Sequence, residues 1–291
     1  MFKEKANNIR QFRRKLRSDC ENCCGLCCVA LTFRAADGFP EDKKVGSPCV
    51  NLQPDFRCQV HQGLWTSGYK GCAAFDCFGA GPKVYQTTFQ GIDWRKDPVT
   101  AKQMFQAFLI MRQLQEMLWY LDELLTLPRV SNLHKEIRSL YEGTVRLTEL
   151  SPDNLLKLNV AEHRFIVSSL LQKASQIIRE TARSRNKNEG AHIAKNKTRK
   201  RIVPGADLMG ADLSNIDLSG SNLRGTYLIA ADLKGTDLRA ADLLGADLRD
   251  ADLRGADLSS SLFLTQAQIN VSKGDTRTKL PARFDRPAHW D

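Results

Sequence analysis

Nine cysteines are the densest chemical feature of this chain, and all of them fall between Cys20 and Cys77. They run as Cys20-x2-Cys23-Cys24-Gly25-Leu26-Cys27-Cys28, then Cys49, Cys58-x2-His61, and Cys72-x4-Cys77. Close spacing lets two thiolates from one turn reach a single ion, and Cys20/Cys23, Cys24/Cys27 and Cys72/Cys77 are such pairs. Adjacent cysteines such as Cys27 and Cys28 point apart and can serve two centres. Disulfides are the rival use of so many thiols. The odd count and the lack of a secretory signal argue against them, because cytosolic thiols stay reduced. Metal ligation is the expected chemistry, with Cys20, Cys23, Cys24, Cys27, Cys28, Cys49, Cys58, Cys72 and Cys77 as candidate ligands.

Thiolate sets suit zinc and iron-sulfur clusters equally, so both cofactors are carried forward. The ferredoxin run ending in Cys-Pro is absent, so electron transfer is not specifically indicated. His61 reads equally as a ligand or as a surface histidine. Cysteine-histidine nucleophile pairs can be drawn with His61, His134 or His163, but cysteines at ligand spacing are usually occupied by metal. There is no phosphate-cradling glycine loop, no HExxH and no G-x-S-x-G. No catalytic constellation is found, and any activity is expected to be redox chemistry at an iron-sulfur cluster.

The elements that position these residues divide by composition. The chain has 291 residues and a formal charge of +10, which suggests about two domains. Residues 1–17 carry seven bases against one acid. Residues 18–97 hold the cysteines among many Gly and Pro, as a metal-organised, loop-rich module does. Residues 98–182 read as helices. Asp97-Pro98 supplies an N-cap and a first-turn proline, and Met111, Leu114, Leu118, Leu121 and Leu125 recur at helical spacing until Pro128. A second helix is expected over 131–150. A third opens at Ser151-Pro152, with Ile166, Leu170, Ala174 and Ile177 on one face. Core packing of these stripes is preferred to a groove for a partner helix. Residues 183–203 form a linker with eight bases against one acid. Both basic segments attract phosphates, yet without interleaved aromatics they read as solvated, so nucleic acid is not favoured as a partner. No apolar run long enough for a membrane span occurs, and a cytosolic location is expected.

From Gly205 the sequence repeats every five residues, from GADLM and GADLS through AADLK and GTDLR to SSLFL at Leu264, twelve units in all. A period of five fits neither helix nor flat strand but does fit a chain that turns a corner at each unit. The fourth residue, Leu208 to Leu258 and then Phe263, must fill the axis. The residue two before it is small in all the regular units except at Ile216. Four units per coil give three coils, about 14 Å tall at roughly 4.8 Å per layer. Asp212, Asp232 and Asp252 then form one column and Asp217, Asp237 and Asp257 another, offset by Lys234, Arg239 and Arg254. After Leu264, residues 265–273 and Gly274 read as a short helix that caps the open end, with Pro281, Pro287 and Trp290 in a docked tail.

This segment resembles the pentapeptide-repeat family, whose fold is a right-handed, four-sided parallel β-helix. Some members mimic B-form DNA and protect gyrase. Three coils would imitate only about four base pairs, so association with a topoisomerase or nucleic acid is kept as an alternative and not preferred. The cysteine segment resembles a bacterial family described as a zinc- or iron-chelating domain with a CxxCxxCC-type opening. Its eight cysteines lie onto Cys20, Cys24, Cys27, Cys28, Cys49, Cys58, Cys72 and Cys77, which leaves Cys23 extra. Tyr69-Lys70-Gly71 stands where that family usually has Arg-Pro. Eight thiolates make two sets of four. The whole chain, including its FLTQAQ…RPAHW tail, looks like bacterial proteins that join this module to pentapeptide repeats.

The expected architecture is multi-domain: a cysteine module (18–97), a helical region (98–182), a basic linker (183–203), a β-helix (204–264) and a cap with tail (265–291). The expected function is that of a metal-binding interaction protein whose β-helix docks an unidentified protein partner. An iron-sulfur redox protein is the alternative.

Overall fold

The chain is described by a computed structural model over residues 16–188 and 202–290. The basic N-terminal segment, apart from Leu16 and Arg17, and most of the basic linker lie outside the described residues. Two compact units emerge, Met1–Leu171 and Gln172–Asp291.

In the first unit the cysteine region carries only short helices: α1 (Leu26–Ala30), α2 (Lys70–Ala73) and α3 (Ala80–Pro82), the last running into a π-helical turn over Lys83–Thr88. Its only β pairing among the described residues is two isolated antiparallel bridges, Phe33 to Lys43 and Leu52 to Cys58. The spine is α4 (Pro98–Leu125), which starts where the sequence predicts, with the Asp97 carboxylate accepting from Val99 N and Thr100 N at 3.1 Å each. Its buried face includes Met104, Phe108, Met111, Leu114, Leu118 and Leu121, and it packs against α1, α5 (His134–Leu147) and α6 (Pro152–Leu156).

The third predicted helix is two helices. α6 stops at Leu156, and α7 runs Val160–Asn188. α7 therefore enters the stretch read as linker. Its buried residues are Val167, Leu170, Leu171, Ala174 and Ile178, whereas Ile166 is 50% exposed. Leu170 and Ala174 lie on the buried stripe as predicted, while Val167 and Ile178 take the places expected for Ile166 and Ile177. Ile166 and Val167 are both apolar, and spacing alone does not choose between adjacent rows.

In the second unit, isolated parallel bridges join residues twenty apart, such as Asp212 to Asp232 to Asp252 and Asp217 to Asp237 to Asp257. One coil is therefore four five-residue units. The backbone touches its neighbour at one residue per side, too briefly for named strands. Positive φ recurs at the corners, at Gly205, Gly210, Gly220, Gly225, Gly235, Gly245 and Gly255 and also at Asn215, Ala230, Ala240 and Asp250. That five-residue recurrence is the physical origin of the sequence period. Leu213 through Leu243 at each fourth position are fully buried, as is Phe263. Buried hydroxyls at the small-residue position bond backbone carbonyls of their own coil, as with Thr226 Oγ1 donating to Leu223 O at 2.8 Å, or of the preceding one, as with Thr236 Oγ1 donating to Leu213 O at 2.6 Å.

The acidic residues have local work. Each carboxylate accepts from the amide two residues on, as Asp207 does from Met209 N at 3.1 Å and Asp252 from Arg254 N at 3.2 Å. These Asx turns stabilise the corners. Part of their charge is then offset: Lys234 lies 2.9 Å from Asp232 and 3.4 Å from Asp252, and Arg239 lies 2.6 Å from Asp237.

The cap helix α8 (Gln266–Asn270) carries a full capping box between Thr265 and Gln268. Lys273 and Lys279 then bridge to Asp252 and Asp257, so the tail adds pairing to the last coil. Gly274 was expected to end the helix, but the helix ends earlier. A Cβ at Gly274 would stand 2.3 Å from the Trp290 ring, and the Trp290 indole N–H donates to Ser272 O at 3.0 Å. The glycine is there to seat the tryptophan.

Candidate metal centre

The thiols are held by loops that side chains pin in place. Asp19 caps the 3-10 turn Cys20–Asn22, and Gly25, with φ of 69°, opens α1, which carries Cys27 and Cys28. Cys49 N donates to Cys28 O at 3.0 Å, and the Leu52–Cys58 bridge brings Cys58 back along the same hairpin. Cys72 rides on α2. Cys77 follows Asp76, whose carbonyl accepts from Arg112 Nε of α4 at 2.9 Å and whose carboxylate accepts from Phe78 N at 2.8 Å. The Arg112 guanidinium also lies over the Phe75 and Phe78 rings.

Two neighbourhoods result. Cys28, Cys49 and Cys72 pack in one apolar cluster with Phe33, Phe39, Tyr69, Val60 and Leu64. Burial pushes the Cys72 thiol up to about 12, and Cys28, Cys49 and Cys58 add like charge. Burial likewise raises Cys49 and Cys58. On the other side, the Ser18 hydroxyl is 3.3 Å from Cys77 Sγ and 3.1 Å from Asp76 Oδ1. Cys23 Sγ lies where a Cβ on Gly81 would be, 2.6 Å away, so the missing side chain at Gly81 makes its space. Burial pushes Cys20 up to about 12 and Cys23 up to about 11, and Cys77 is a like-charge neighbour of both. Cys27 and Cys28 join the neighbourhoods, their Sγ atoms 3.9 Å apart. The Cys27 S–H donates to Cys28, which holds Cys27 well above the usual thiol range and lowers Cys28.

Cys24 stands apart. It is fully buried, its Sγ 4.0 Å from Met104 Sδ, and its carbonyl accepts from the Trp94 indole N–H at 2.8 Å. Two of the pairs expected from spacing are thereby divided: Cys24 faces away from Cys27, and Cys72 and Cys77 lie in different neighbourhoods. Cys20 and Cys23 stay together. The exposed His61 places Nε2 3.5 Å from Cys20 Sγ. His134 bonds Leu127 O and His163 bonds Thr144 Oγ1, so both serve the helical region. All nine thiols are free of disulfides. Among the described residues no three Cys, His, Asp or Glu side chains converge closely enough to hold an ion as they stand. Spacing did not point to Ser18, Asp76, Arg112 or Lys43. Each acts through a long-range contact that leaves no local pattern.

A family described as "Pentapeptide repeats" matches residues 206–243 and 227–263, in eight copies. The chain is 53% identical over 275 residues to "Uncharacterized protein YybG" of Bacillus subtilis (strain 168), an alignment spanning 94% of this chain and 95% of that one. The chain belongs to the YybG family. The alignment covers nearly the full length, so it spans both the segment that holds the cysteines and the repeats. The repeats are also similar to two solved pentapeptide-repeat proteins. Alr5209 from Nostoc PCC 7120 is 33% identical, with a TM-score of 0.17, over 30% of this chain and 81% of that one. Rfr23 from the cyanobacterium Cyanothece 51142 is 30% identical, with a TM-score of 0.18, over 30% of this chain and 55% of that one. No described helix is long and apolar enough to cross a membrane.

Proposed function

We propose that the cysteine region binds two zinc or iron-sulfur centres through two sets of four thiolates, and that the protein is a cytosolic metal-dependent interaction module. The first set is Cys20, Cys23, Cys27 and Cys77. The second is Cys28, Cys49, Cys58 and Cys72. Cys24 belongs to neither, so this set of eight differs from the one the family resemblance implies by exchanging Cys23 for Cys24.

The observation that supports the reading is the gathering of disulfide-free thiols into two adjoining neighbourhoods that meet at Cys27 and Cys28, with the Cys24 thiol turned into the helical core. The donor set fits the metals: it is all sulfur, which selects zinc or iron-sulfur centres over calcium or magnesium. Four thiols gathered in a desolvated space are costly to ionise together, and a bound cation offsets that cost. The β-helix contributes the docking surface. Its charged columns are partly offset, whereas Met209 and Tyr227, on stacked units of the first two coils, are 55% and 51% exposed. A protein partner would cover these apolar positions.

The test is anaerobic purification with elemental analysis and a visible spectrum on one sample. Two centres per chain are expected, retained in Cys24→Ser and reduced to one in Cys23→Ser. Colourless zinc supports the interaction module. Iron with sulfide and a broad band near ~400 nm turns the reading towards redox chemistry. A freshly purified chain without stoichiometric metal overturns it.

A further inference from the structure

The two neighbourhoods differ in their charge. Lys43 pairs with Phe33 in an antiparallel bridge, with Phe33 N to Lys43 O at 2.9 Å and Lys43 N to Phe33 O at 3.0 Å. The bridge carries the Lys43 ammonium back over the Phe33 ring, 4.5 Å from its centroid. That ring belongs to the apolar cluster of Cys28, Cys49 and Cys72. The ammonium donates to Leu31 O at 2.6 Å, Ser47 O at 2.9 Å and Lys44 O at 3.3 Å. Three carbonyls take all three of its N–H donors, so none remains for a sulfur. Lys43 can reach the thiolates only through its charge.

We infer that the Lys43 ammonium is a built-in counter-charge for the Cys28, Cys49, Cys58 and Cys72 set, and makes it the tighter of the two metal centres. The inference rests on the metal-binding reading above. Four thiolates around a divalent ion carry a net double negative charge, of which one fixed cation removes half. The carbonyl cage holds that cation in place before any metal arrives, which saves the entropy of recruiting one. Cys28, Cys49 and Cys72 all feel it as a lowering influence, and Cys27 lies within its field. The opposing groups on this side are Glu41, which acts on Cys49, and the buried Tyr69 phenol. The other set has the Asp76 carboxylate beside Cys77, bridged by Ser18, and Arg112 is turned to the Asp76 carbonyl and to Glu116. Its neighbours are therefore the Asp76 carboxyl and, 3.5 Å from Cys20, the His61 imidazole, where the second set has a caged ammonium.

The experiment titrates the reduced, metal-stripped full chain with cobalt(II) under argon, following thiolate-to-cobalt absorption in competition with a chelator. Two steps are expected, and Cys49→Ser removes the tighter one, which assigns it. Lys43→Met should weaken that step about tenfold and leave the weaker step unchanged, and Lys43→Arg should restore it. Glu41→Gln, an exposed position that does not threaten folding, should strengthen the same step a few-fold. Equal weakening of both steps by Lys43→Met, no restoration by Lys43→Arg, or no effect of Glu41→Gln on the tighter step overturns the inference alone. A wild-type chain that takes up no cobalt overturns the metal reading and this inference together.

Discussion

The β-helix and the cysteine region solve the same problem, ordering a chain rich in turns, by opposite means. In the β-helix every coil repeats one arrangement: a positive-φ corner, an Asx turn, a leucine on the axis, and backbone bonds to the next coil, such as Leu213 N to Asp232 O at 2.8 Å. Cooperation is built in, since each layer templates the next. The cysteine region repeats nothing. Its longest helical stretch is the six-residue turn Lys83–Thr88, and it is laced by single side-chain links such as Arg95 to Pro54 O and Gln53 O or Gln86 to Asn22 O. Such a segment has no repeated ladder to lean on, and under the proposed reading metal at its thiols would complete its closure.

The largest test of this contrast removes the junction. Cys27→Ala with Cys28→Ala takes one thiolate from each set, and should release both metals and cost on the order of 10 kcal/mol of metal-coupled folding. Hydrogen exchange should then lose protection over residues 18–97 while the β-helix keeps its own. Protection that survives in the cysteine region would show that its lacing suffices without metal, and the contrast would fail.

The two regions were also unequally legible. The corner, core and register of the β-helix follow from a period that is itself geometric, and the aspartate columns fall as the five-residue count places them. What the count hides is that Asp207 or Asp252 spends its carboxylate on the amide two residues on, so the acidity belongs to corner-making. In the helical region Asp97-Pro98 marks its start because a cap is a local event. The break at 157–159 has a local signal that a reading by apolar spacing passes over: Asn159 caps α7, its Oδ1 accepting from Glu162 N at 3.2 Å. For the thiols, spacing tells which residues share a turn but not which way each turn faces. Met104 and Trp94, some 70 to 80 residues downstream, draw Cys24 into the core.

A second test weakens the self-sufficient region at its one deeply buried charge. Asp242 is fully buried in the Gln172–Asp291 unit, with Ser175 Oγ donating to it at 2.5 Å and Arg224 Nε 2.8 Å away. Asp242→Ala leaves the Arg224 guanidinium buried without its counter-ion, which should cost about 3–5 kcal/mol. Denaturant unfolding should show a lower midpoint for this unit with metal content unchanged. Metal lost along with stability would mean that the two regions are not energetically separate, against the contrast drawn above.

The smallest effect lies in acid. The Arg254 guanidinium bonded to Asp252 holds its carboxyl down at about 2, below its ordinary value of 3.8. A carboxylate depressed in the folded state adds stability that is fully present above its unfolded value and is lost as pH falls through the folded one. The β-helix should therefore weaken between about pH 4 and about pH 2, and Asp252→Asn should flatten that loss while costing less than about 1 kcal/mol at neutral pH, because the pair is partly exposed. The cysteine region should respond earlier, since protons compete with metal for every thiolate. Circular dichroism and metal content followed on one acid titration separate the two events. If metal release and β-helix unfolding fall on a single transition, the layered ladder is not the independent scaffold that its hydrogen bonds describe.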